Sequence, residues 1–151
     1  MDLQIHQRHI EGIVILDLQG RLALGQSEVL LRDTITKLAE AGSVDVILNC
    51  ASVDEIDEDG LGFLVVGATR LRKAGGALKL LNLRRDHLDL VVLARLEGAF
   101  DVYCDEVSAI NSFFPERAVP AFDLLEYARQ QRAAYLISHK NVSDGQSVTR
   151  P

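Results

Sequence analysis

Short β-rich apolar runs alternate with segments of helical period along most of the chain, and that alternation leaves few folds open. Leu3-Gln4-Ile5-His6-Gln7 alternates apolar with polar, and Ile13-Val14-Ile15-Leu16-Asp17-Leu18 is a second strand, with Glu11-Gly12 as the turn of a hairpin. Gly20 ends that strand. Ser27 then reads as an N-cap, Leu31, Ile35 and Leu38 follow helical spacing, and Gly42 stops the helix. Val44-Asp45-Val46-Ile47-Leu48 has the apolar run of a strand buried on both faces. A helix is predicted over 60–74, with Leu61, Leu64, Val65, Ala68 and Leu71 on one face and Gly75-Gly76 behind it. Ala77-Leu78-Lys79-Leu80-Leu81 is the fourth strand, 87–96 a helix, 100–103 a short strand, and 105–113 a helix capped by Asp105. The order β-β-α-β-α-β-α-β-α predicts an α/β sandwich with about five strands and four helices. Its sheet is mixed, because a hairpin is antiparallel while the helices supply the crossovers that parallel pairs require.

Composition narrows the class further. The chain is 48% hydrophobic and 25% charged, which is globular composition. No apolar stretch approaches the ~20 residues of a membrane span, and no basic segment followed by an apolar run opens the sequence, so neither direct membrane insertion nor secretion is expected. Cys50 and Cys104 form neither a disulfide framework nor a zinc set, which points to reduced thiols and a cytoplasmic protein. A net charge of −6 argues against nucleic acid as a partner. Residues 1–114 are expected to form the domain. Pro115 and Pro120 then bracket a linker to an amphipathic helix, the two together spanning 115–137, and 138–151 reads as a disordered polar tail.

The informative segment is Val44-Asp45-Val46-Ile47-Leu48-Asn49-Cys50-Ala51-Ser52-Val53-Asp54-Glu55-Ile56-Asp57-Glu58-Asp59-Gly60-Leu61-Gly62. A buried strand, a loop with spaced apolar residues (Val53 and Ile56), and an acidic residue opening a Gly-Leu-Gly helix resemble the signature of the STAS family. Leu18-Gln19-Gly20-Arg21-Leu22 is similar to that family's second strand end, and Gly75-Gly76-Ala77-Leu78-Lys79-Leu80 to its helix stop and fourth strand. The resemblance runs from about Leu3 to Phe113 and is of the anti-sigma factor antagonist type. It implies a protein-binding switch whose partner is an anti-sigma factor, typically a serine kinase, met through residues 53–70. The contact residues so implied are Asp57, Glu58, Asp59, Gly60, Leu61, Gly62, Phe63, Val66 and Arg70.

Two departures stand out. In phosphorylatable antagonists the serine directly after the motif Asp receives the phosphate; here that regulatory position is Glu58, and Asp59 follows. Where the family often carries an acid after the second strand, this chain has Ala23. Three readings of Asp57-Glu58-Asp59 follow. Acids favour a helix N-terminus through the macrodipole. Glu58 can mimic a permanent phosphate, with about one charge in place of nearly two. Glu55-x-Asp57-x-Asp59-Gly60 also starts like a calcium loop, but its twelfth position is Val66.

Phe63, Val66, Gly67 and Arg70 lie off the apolar stripe and form either a docking patch or a face covered by the third helix. His6, His9, His87 and His139 have no metal-ligand spacing and read as surface residues; Arg84-Arg85 reads as a solvated turn. The serines lack a nucleophile elbow and there is no phosphate-binding lysine loop, so no enzyme, metal or cofactor is expected. A homodimer remains open. The alternatives are a scaffold STAS subunit of a signalling assembly and a cytoplasmic STAS accessory subunit of a lipid transporter.

Overall fold

The structure, a computed structural model, describes residues 2–117, 119 and 122–149, with the side chains of the last helix described as far as Ser138. Strands β1 (Gln4–Ile10), β2 (Ile13–Leu22), β3 (Asp45–Ile56), β4 (Ala77–Leu81) and β5 (Asp101–Tyr103) form one sheet in chain order. The β1–β2 hairpin is antiparallel and every later pair is parallel, so the sheet is mixed as expected. The hairpin turn has φ 52° at Glu11 and 81° at Gly12, the two positive values that a two-residue turn matched to strand twist requires.

Helices α1 (Gln26–Glu40), α2 (Glu58–Lys73) and α3 (Arg85–Leu93) are the crossovers. Because each right-handed crossover steps to the next strand in the same direction, all of them fall on one face. Their buried residues, among them Leu31, Ile35, Leu61, Leu64, Leu88 and Val91, pack on Val14, Leu16, Leu18, Val46, Leu48 and Leu80 as one core. The opposite face carries a smaller cluster of Ile13, Ile15, Ile47, Leu81 and Tyr103 under α4 (Glu106–Asn111). Lys79 is buried there as well: its ammonium donates to the Ser112 carbonyl at 3.1 Å and hydroxyl at 2.9 Å and lies 4.3 Å from the Phe113 ring centroid.

Several expectations are corrected. Ser27 is not the N-cap of α1; Gly25 holds that position, and Ser27 sits inside the first turn, buried, its hydroxyl donating to the Arg21 carbonyl at 2.6 Å. The segment from Asn49 to Ile56, read as a loop, is the second half of β3. It pairs with the end of β2 from Gln19↔Ser52 to Leu22↔Ile56, with irregularities that re-aim the strand. Burial of Val53 and Ile56 in the core holds it there. His87 is buried, not on the surface, and its Nδ1 has no hydrogen-bond partner among the described residues.

Burial pushes the His87 imidazole pKa down, against the neighbouring Asp86, which raises it. The folded state therefore holds fewer protons on this ring than the unfolded chain does. The resulting stability is present above the ordinary histidine value of about 6.5 and is lost as pH falls below it. The Tm of the wild type is expected to fall between pH 7 and pH 5.5 by more than that of His87→Leu, followed by calorimetry; equal slopes would refute the burial argument.

Beyond the sandwich, α5 (Leu124–Thr149) packs on α3. Leu124 and Ala128 are buried, the Tyr127 hydroxyl donates to Asp89, and Arg132 pairs with Glu97 and donates to the Val92 carbonyl at 3.0 Å. Its backbone continues as helix past Ile137, where the amphipathic segment was expected to give way to a disordered tail. The side chains from His139 onward, the whole of residues 150–151, and Pro120 of the expected linker lie outside the described residues.

Candidate protein-docking site

The N-terminus of α2 is anchored by two groups. Asp57 is extended, at φ −99° and ψ −176°, and its Oδ1 accepts from the Gly60 N–H at 2.7 Å, the capping bond that satisfies one of the helix's unpaired donors. Its own N–H donates to the Leu22 carbonyl at 3.2 Å, tying the helix start to the end of β2. Gly60 leans on the same carbonyl so closely that a Cβ there would stand 2.1 Å from the oxygen. Only a residue without a side chain fits between the helix and that strand.

This seating decides which of the expected contact residues face solvent. Glu58 and Asp59 occupy the exposed first turn of α2, and neither forms an ion pair or hydrogen bond among the described residues. Asp57 is half-buried by its capping role. Gly60 and Leu61 are buried, Leu61 in the main core, so these two support the surface and do not form it. Gly62, Val66 and Arg70 are exposed, Val66 at 57%, and Phe63 is half-buried. The neighbour of this face is α1, not the third helix: Arg70 donates to the Thr36 hydroxyl across the gap, and Gly67 is buried against Ile35.

Sequence reasoning missed the contribution of α1 and of the turn before it. Leu24 is 70% exposed between β2 and α1, and Val29 and Leu30 are exposed on α1. Their signal was visible as apolar residues outside the Leu31/Ile35/Leu38 stripe. Ala23, where the family often has an acid, is buried. Glu55 is paired with Arg21 at 3.2 Å, and Asp54 is exposed beside it.

The calcium-loop reading fails on geometry. Glu55 belongs to β3, residues from Glu58 onward are helix, and Asp57 is committed to the cap, so no loop winds around a common centre. Among the described residues no three His, Cys, Asp or Glu side chains form a metal-binding group. Cys50 is wholly enclosed, and burial pushes its thiol up to about 12, far from the range of a thiolate nucleophile. Among the described residues, no helix is long and apolar enough to cross a membrane.

Comparison with known proteins agrees with this geometry. The STAS domain model matches residues 4–109. No curated protein matches the chain. Among solved structures, a Thermotoga maritima protein assigned as an anti-sigma factor antagonist superposes with a TM-score of 0.67 at 18% identity, covering 72% of this chain and 92% of its own. An anti-sigma factor antagonist from Mycobacterium paratuberculosis gives 0.63 at 15% identity, covering 73% and 92%. The phosphorylated form of the Bacillus cell fate determinant SpoIIAA gives 0.58 at 19% identity, covering 73% and 99%. At these identities the likeness is one of fold.

Proposed function

The chain belongs to the STAS domain family, and on that premise we propose that it is a non-enzymatic regulatory module of the anti-sigma factor antagonist kind. Its partner in this reading is an anti-sigma factor of the serine-kinase type, and its action inside the cytoplasm is to free a sigma factor for transcription. The observation that carries the reading is Glu58. It is the first residue of α2, exposed and, among the described residues, unpaired, at the position where the family resemblance places the phosphorylatable serine.

A phosphate at a helix N-terminus is stabilised by the free N–H groups and the positive end of the dipole. A carboxylate at the same place enjoys the same field with about half the charge. Glu58 would thus hold the surface in a partly phosphorylated-like state that no kinase can write and no phosphatase erase. Asp59 adds a second fixed charge next to it.

The test is binding of the wild type and of Glu58→Ser to the candidate anti-sigma kinase with ATP present, by calorimetry and by phosphate incorporation. Glu58→Ser is expected to bind more tightly by roughly tenfold or more, about 1.4 kcal/mol, and to become phosphorylated. If neither form binds, the antagonist reading falls, and a scaffold or transporter subunit becomes the better account.

A further inference from the structure

The contacts of α5 are confined to its beginning. Among its described side chains Leu124 and Ala128 are buried, whereas every one from Ala133 to Ser138 is exposed. Phe122, just ahead of the helix, and Tyr127 pack against the main core, their ring centroids 5.6 Å apart. Polar ties close the seam: Tyr127 to Asp89, and Arg132 to Glu97 and the Val92 carbonyl. The STAS match ends at residue 109, and all five strands and the helices of both faces precede α5. The helix is an addition to a sandwich already built.

The seam beneath it is not filled as an interior is. A cleft of about 240 Å³ opens among Leu83, Leu88, Val102 and Phe122, and one of about 400 Å³ between the 97–103 segment and residues 122–125. Protein cores are close-packed, and side chains that border open space forgo part of their dispersion contacts. Glu97 adds a second weakness. Its Oε2 is buried with no hydrogen-bond partner among the described residues, so the closed seam holds an acceptor that water would satisfy once it opened. Few buried apolar groups and an unmet polar atom mark a segment that opens at lower cost than the sheet does. Strands β2 and β3, by contrast, carry Ile15, Leu16, Ile47 and Leu48, all wholly buried.

We propose that α5 is a releasable strap, an autoinhibitory contact built from this chain's own helix. Residues 122–132 lift from α3 and β5 as one unit while the sandwich stays folded. The closed strap covers an apolar patch formed by Leu88, Phe100 and Val102, which face residues 122–125 across the two clefts. Val102 also belongs to the outermost strand. The Tyr103 carbonyl accepts from the Asn82 N–H on the β4 side, so the alternation of a parallel ladder turns the Val102 N–H and C=O towards the free edge. Opening bares that edge and the apolar residues beside it together, which is the kind of surface that folded proteins otherwise keep covered.

Two thiols in one full-length chain report the two kinds of opening. Cys50 is wholly buried in the core and meets a thiol reagent only when the domain unfolds. Cys104, which is exposed, is replaced by Ser, and Ala128→Cys places the second thiol under the strap. In native buffer the thiol at position 128 is expected to be modified roughly a hundredfold faster than Cys50, or more. Arg132→Ala is expected to speed modification at position 128 by about fivefold or more, through loss of a charged tie, and to leave the Cys50 rate unchanged. Hydrogen exchange of the unsubstituted chain reads the same event: the amides from Tyr127 to Arg132 are expected to share one opening free energy, below that of β2 and β3. Equal modification rates at 128 and 50 would mean that α5 opens only with the whole domain, and would overturn the proposal. Protection that rises steadily from Arg132 back to Tyr127 would mean fraying from the helix end, and overturns it too. A thiol at 128 that reacts as fast in native buffer as in urea would mean that the strap is never closed.

Discussion

Gly60→Ala is expected to lower the stability of the domain by about 3 kcal/mol or more, whereas Gly62→Ala is expected to raise it by up to about 1 kcal/mol. Both glycines lie in the first turns of α2, and the same methyl group is added at each. At position 60 the new Cβ would stand 2.1 Å from the Leu22 carbonyl oxygen and 2.8 Å from its carbon. Those are backbone atoms that cannot swing aside, and the oxygen already accepts from the Asp57 N–H. Relief requires the helix start to part from β2, breaking that hydrogen bond and loosening Leu61 in the core. At position 62, among the described residues, no atom beyond the adjacent residues and the helix's own backbone lies within 4 Å of the new Cβ, so alanine supplies only its better helix propensity. Urea unfolding of the pair measures both. A Gly60→Ala protein as stable as the wild type would mean that α2 is not seated on β2 as described.

Asp17→Ala is expected to cost about 2 kcal/mol at neutral pH. The Asp17 carboxylate accepts from Arg8 Nε at 2.6 Å and Nη2 at 2.9 Å, and from Asn49 Nδ2 at 2.8 Å. Arg8 also reaches Glu106 at 2.6 Å, so the cluster ties β1, β2 and β3 to α4. Its removal leaves Arg8 and Asn49 partly buried with fewer partners, and the unmet desolvation is the larger part of the loss. The pH dependence has a definite sign. The Arg8 guanidinium, helped by Asn49, holds the Asp17 carboxyl below its usual range in spite of desolvation. The stability from this ionisation is present above the unfolded carboxylate value of about 4, and it is lost as pH falls through the lower folded value. The gap between wild type and Asp17→Ala is therefore expected to be constant from pH 5 to 8 and to shrink below pH 4. A gap that widened in acid would contradict the assignment.

The fold was legible in the sequence to the level of element order, and for a physical reason. Each strand run is apolar enough, and each helix stripe regular enough, that the alternation admits little else. The glycine stops at 42 and 75 were equally plain, because their positive φ of 82° and 94° is what ends α1 and α2. The second half of β3 was not legible. Ser52, Asp54 and Glu55 look like loop residues, and pairing with the end of β2, together with burial of Val53 and Ile56, keeps them extended. Ser27 failed as a cap for a related reason: a hydroxyl near a helix start serves the nearest unmet carbonyl, which only the three-dimensional arrangement identifies. His87 has the composition of a surface residue and the position of a core one, since α3 turns it inward.

At the candidate site the motif residues were found, but their division into support and surface was not. Gly60 and Leu61 are as prominent in the sequence as Glu58, yet their burial follows from a contact with Leu22 far away in the chain. The exposed apolar residues of α1 stand in the sequence, but their place beside α2 was not legible, because no local pattern says which helix lies next to which.

The order of the strands has a bearing on how the protein is made. Every strand pairs with the one synthesised just before it, so no part of the sheet waits for a distant segment to complete it. A chain emerging from the ribosome can add strand and covering helix in turn, burying each new apolar edge soon after it appears. The last events are long-range ones: α4 closes the second face, Arg117 grips Glu11 of the first hairpin, and α5 settles on α3. In the interval after β5 has emerged from the ribosome and before α4 has, the chain therefore displays a sheet already formed but bare on one side, which makes that interval the moment at which the nascent chain is most exposed to aggregation.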